Sequence, residues 1–88
     1  MLYEQITRAL DEALLKRAIE RAVETAYAEN GFGSPCCNVH SVQMLDDAHG
    51  EYTIAPAKWE RECVSGILSD VNAKVYAATG IAVKGHCF

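Results

Sequence analysis

Residues 38–56 read "NVHSVQMLDDAHGEYTIAP", and how this stretch folds decides the rest. Its flanks carry β-branched and aromatic side chains at alternate positions, and its centre is made of turn formers. "NVHSVQM" (38–44) and "EYTIA" (51–55) therefore read as two strands of a hairpin joined through "LDDAHG". Pro56 suits the first turn of a following helix, since its fixed φ is already helical and its missing N–H has no partner there. That helix is expected over 56–78, closing at Gly80. Its apolar stripe is Cys63, Val64, Ile67, Leu68, Val71, Val75 and Ala78, with Glu62, Ser65, Ser69, Asn72 and Tyr76 on the other side.

On the amino-terminal side, residues 2–29 contain neither Gly nor Pro, are rich in Ala, Leu, Glu and Arg, and run into "ENGFG", an Asn-Gly stop. They read as one helix. On the carboxy-terminal side, "IAVKGHCF" alternates as a last strand, with Ile81, Val83, Gly85 and Cys87 on one face and Ala82, Lys84, His86 and Phe88 on the other. The order is α-β-β-α-β. Its layered solution is a single α+β domain over 1–88, with two helices on one face of a three-stranded, mainly antiparallel sheet.

Composition limits what such a domain does. Half of the 88 residues are apolar and 23% are charged, as in an ordered globular chain. A domain this small buries only about two thirds of its unfolded surface, so its stability is expected to be marginal or helped by a partner. The opening "MLYEQITRALDEALLKRAIE" mixes charges into its apolar residues and lacks the apolar core of a signal peptide. No run reaches membrane-spanning length. A cytoplasmic location with reduced thiols is the expectation. The net charge is −4, and residues 31–55 hold three acids and no Lys or Arg. Without a basic cluster, binding to a nucleic-acid backbone is not expected.

The first helix carries an anomaly. At about 100° per residue, Leu2, Ile6, Ala9, Leu10 and Ala13 share one side, whereas Leu15, Ala18, Ile19, Ala22 and Ala26 share nearly the opposite one. Charges switch in step: Glu4, Arg8, Asp11 and Glu12 lie opposite the first stripe, and Glu20, Arg21 and Glu24 opposite the second. "DEALLKR" has no Gly or Pro to break the helix at the switch. Unbroken, the helix is roughly 40 Å long, against about 30 Å for the diameter of such a domain. The second half is then expected to pack at home. The first half offers Leu2, Ile6, Leu10, Ala13 and Leu14 to another molecule, either a second copy in a homodimer or a target protein.

Cys36, Cys37, His40, Cys63, His86 and Cys87 are ligand types that zinc prefers. Their spacing departs from the paired knuckles of zinc sites, and adjacent residues on extended backbone point to opposite faces. The best set is one of Cys36 and Cys37 with His40, Cys63 and one of His86 and Cys87. Packing competes with this reading, because cysteine behaves as a small hydrophobe and Cys63 and Cys87 fall on inward stripes. A Cys/His nucleophile is a weaker reading, since no helix opens after Cys36-Cys37 to lower a thiol pKa. At the hairpin tip, Asp46, Asp47, His49 and Glu51 read as a solvated turn, a cation site or an acidic knob for a basic target.

Taken together, these features lead to a non-enzymatic protein-interaction module with no cofactor. By analogy only, small acidic domains of this kind include accessory proteins and inhibitors, such as phage-encoded inhibitors of host nucleic-acid machinery. The alternative is a zinc-binding protein using the Cys and His residues above.

Overall fold

A computed structural model describes residues 2–31, 33, 38–56 and 61–87, with side chains from residue 11 onward except those of Asn38, Arg61 and Cys63. Helix α1 runs unbroken over Leu2–Glu29. It stops where the sequence places the Asn-Gly pair: Asn30 bonds Ala26 O through its backbone N–H at 3.0 Å and its side-chain amide at 2.7 Å, and Gly31 takes a φ of 74°. A left-handed backbone of this kind is open to glycine and closes the helix.

Strands β1 (Asn38–Met44) and β2 (His49–Ala55) form the hairpin. They pair antiparallel, with Met44 opposite Gly50 and Val39 opposite Ile54. The strand after the turn starts at His49, two residues before the expected Glu51, because the backbone N–H groups of Leu45 and Asp46 both bond to His49 O. One feature is absent from the simple alternation of "NVHSVQM". Between Val39 and Ser41 the register shifts, leaving His40 as the extra residue of a bulge. A bulge shifts the phase of the pleat, and Val39 and Val42, three apart, both pack against the core.

Helix α2 spans Arg61–Thr79 and ends at Gly80, whose φ is 75°. Positions 57–60, which the sequence reading assigns to the start of this helix, lie outside the described residues. Thr79 turns the chain: its hydroxyl donates to Val75 O at 2.7 Å and accepts from Ile81 N at 3.1 Å. Strand β3 (Ala82–Cys87) then joins β2 in parallel, so the sheet is mixed, in the order β1-β2-β3. A crossover through a helix is what parallel neighbours require.

The core lies between sheet and helices. It takes Leu15, Ile19, Val23 and Tyr27 from α1, Met44, Tyr52 and Ile54 from the hairpin, and Val64, Ile67, Val71 and Val75 from α2. The expected stripe of α2 is thus buried at these four positions, but Ala78 is exposed. Asn72, expected on the solvent side, turns inward instead and accepts the hydroxyl hydrogen of buried Tyr52 at 2.5 Å. One glycine lets helix and sheet approach and another makes room within the sheet. A Cβ on Gly50 would lie 3.0 Å from Leu15 Cδ2, and one on Gly85 would run into the Tyr52 ring stacked across it. No described helix is long and apolar enough to cross a membrane.

Candidate interaction surface on the first helix

Along the described side chains of α1, the surroundings change at Leu15. From Leu15 onward, the face with Leu15, Ile19, Ala22, Val23 and Ala26 is buried against the hairpin and α2. The carboxy-terminal end is also tethered by charge. Lys74 Nζ on α2 lies 2.6 Å from Glu29 Oε2 and 3.2 Å from Asp70 Oδ1. These hydrogen bonds, that to Glu29 first, hold the Lys74 ammonium above the usual lysine pKa.

Immediately before Leu15 the pattern reverses. Leu14 is 63% exposed where Leu15 is 1% exposed, and Ala13 is exposed as well. The core-facing side carries a charge at this level. Glu12 Oε1 accepts the backbone N–H of Met44 at 3.3 Å, a contact between helix and hairpin end that the sequence pattern does not announce. Of the expected interface residues, Ala13 and Leu14 are therefore uncovered, while the side chains of Leu2, Ile6 and Leu10 lie outside the described ones. Their positions belong to the same continuous helix.

At the hairpin tip, Asp46 works inside the turn. Its Oδ1 accepts the backbone N–H of Ala48 at 2.8 Å, and His49 Nδ1 lies 2.9 Å and 3.0 Å from its two oxygens. The Ala48 N–H, with His49 second, holds the Asp46 carboxyl below its ordinary 3.8. Asp47 is exposed beside it. Glu51 sits on β2 between Gln43 of β1 and Lys84 of β3, with His86 Nε2 at 3.7 Å. A fixed turn with acidic groups around it is the result, and the tip is anchored to the sheet by Ala82 N donating to Ala48 O.

Of the zinc candidates, the structure describes the side chains of His40, His86 and Cys87. Cys36 and Cys37 lie outside the described residues, as does the side chain of Cys63. His40 is exposed on the bulge of β1. On β3, His86 is exposed and Cys87 turns to the inner face, with Sγ 3.6 Å from Ser65 Oγ on α2. Burial, and next the neighbouring Cys87, pushes the Tyr52 phenol above its usual range. Among the described residues, no group of three or more His, Cys, Asp or Glu is placed to hold a metal ion. Compared with protein-family models, curated proteins and solved structures, the chain matches none.

Proposed function

We propose that the chain is a non-enzymatic protein-interaction module whose contact surface is the first half of α1. The observation that carries this reading is the pair Leu14 and Leu15: consecutive residues of one unbroken helix, one exposed and one buried. The helical period places positions 2, 6 and 10 on the side of the helix opposite Leu15, with position 10 nearest Leu14. A row of large aliphatic residues left in water is unfavourable by roughly 1.5–3 kcal/mol for each side chain that a partner could cover, and such a surface commonly marks a contact. The role that follows is that of an accessory or inhibitor protein acting by binding. The acidic tip with Asp46, Asp47 and Glu51 supplies a second, electrostatic contact for a basic region of a target, where it aids rate and orientation more than affinity.

Native mass spectrometry of the chain, purified gently from cells that make it, tests this reading against a variant with Ile6→Glu and Leu10→Glu. The wild-type chain is expected to carry a partner, its own copy or another protein, and the folded variant to run as a bare monomer. Identical masses for the two would remove the surface from consideration.

A further inference from the structure

The sheet has two edges, and they are finished differently. At the β1 edge the ladder is interrupted by the bulge at His40, and the N–H of Met44 at the end of the strand is taken up by Glu12 Oε1. Bulges and covering helices are devices that close an edge to further strands. At the β3 edge neither device is present among the described residues. β3 pairs with β2 in an unbroken register from Ala82 to Cys87, and no described strand lies on its other side. Its outward N–H and C=O groups are therefore a template for one more strand.

The side chains beside this edge say what that strand must carry. On the inner row, Val83 and Cys87 of β3 are only half-buried, as is Leu68 of α2, the helix packed over this strand. α2 stays close to the edge, with Ser65 Oγ 3.6 Å from Cys87 Sγ. On the outer row, Lys84 is exposed, with Glu51 as its register partner on β2 and Gln43 beyond it on β1. A row that ends acid then base is best continued by an acid, since facing opposite charges on neighbouring strands stabilise a sheet and facing like charges destabilise it.

The same row disfavours a second copy as the occupant. A two-fold pairing of β3 with itself that uses most of the strand and keeps both copies' helices on one side sets Lys84 against the copy's Lys84 or His86. We infer that the β3 edge is a docking site for an extended segment of another protein, which joins the sheet as a fourth strand. Alternate residues of that segment are apolar, covering Val83, Cys87 and Leu68, and acidic, lying beside Lys84. In this mode backbone hydrogen bonds supply affinity and the alternating side chains supply selectivity. The site lies apart from the first half of α1 and does not rest on the reading given to that helix.

Amide NMR spectra of the full chain, titrated with short end-blocked peptides, test the inference. A peptide that alternates valine with glutamate is expected to shift the amides over 82–87 and around Leu68. Its fully N-methylated form, which has no N–H to donate, should shift none. Replacing its glutamates by lysines should weaken binding about fivefold. Lys84→Glu, a change at an exposed position, should reverse that order, and its own spectrum checks that the variant is folded. No shift over 82–87 at millimolar peptide, equal binding of the two charge types, an order unchanged by Lys84→Glu, or binding of the N-methylated form overturns the inference. So does a change in the same amides when the chain alone is diluted, which would mean that a second copy holds the edge.

Discussion

Residues 15–27 and residues 11–14 of α1 share one unbroken backbone and differ in which side chains are buried. Residues 15–27 bury one face on the hairpin and α2, and Lys74 fastens the end through Glu29. Before Leu15 the aliphatic residues move to the other side and the core side becomes charged, with Glu12 reaching the end of β1. The switch from exposed Leu14 to buried Leu15 takes place without a break in the helix. The backbone continues because nothing in "DEALLKR" interrupts its hydrogen bonds.

The largest expected effect separates the halves directly. Ile19 is fully buried, and Ile19→Ala should cost about 2–5 kcal/mol in urea unfolding, the range for a core truncation. In dilute solution Ile6→Ala should stay within about 0.5 kcal/mol, as at a surface position. Similar losses for both would erase the distinction between a home face and a contact face.

A second pair sharpens the contrast using glycine. Gly85→Ala forces a methyl into the Tyr52 ring and is expected to cost about 1–3 kcal/mol. Gly66→Ala, on an exposed turn of α2 with nothing within 4 Å of the new Cβ, should instead stabilise by about 0.5–1 kcal/mol. Thermal unfolding of the two variants reads the opposite signs. Tyr52→Phe, which removes the hydroxyl bond to Asn72, should cost about 0.5–1.5 kcal/mol by the same measurement.

The smallest effect lies at the hairpin tip. The Asp46 carboxyl is held below 3.8 in the folded chain by the Ala48 N–H and by His49. A depressed carboxyl contributes stability that is present above its unfolded pKa and lost as pH falls through the folded value. Carbon-detected NMR titration should place the Asp46 midpoint below the ordinary one, and Asp46→Asn should remove that acid-side contribution to stability. Full exposure keeps it small.

Much of this fold is legible in the residues. The lack of Gly and Pro over 2–29 and the Asn-Gly stop give α1 its extent, and the alternation in "IAVKGHC" gives β3 its two faces. Alternation sets which face a residue occupies and not the direction of the neighbouring strand, so the parallel pairing of β2 with β3 needed the structure. The bulge at His40 was hidden for a related reason: three-residue spacing between Val39 and Val42 looks irregular until one residue is taken out of the ladder. Asn72 reads as a solvent-side polar residue on a helical wheel, and only the position of the Tyr52 hydroxyl reveals its inward turn. The phase change in α1 was legible in the residues and is seen at Leu14 and Leu15, whereas the Cys and His residues give no such geometric signal from spacing alone.

Amide hydrogen exchange along α1 at low protein concentration tests the division of the helix most directly. Amides over 15–27 should exchange only through global unfolding; on the proposed reading, those over 2–11 should open locally and exchange faster. Equal protection along the whole helix at that dilution would mean that the first half is packed within the same molecule, and that no partner surface is left there.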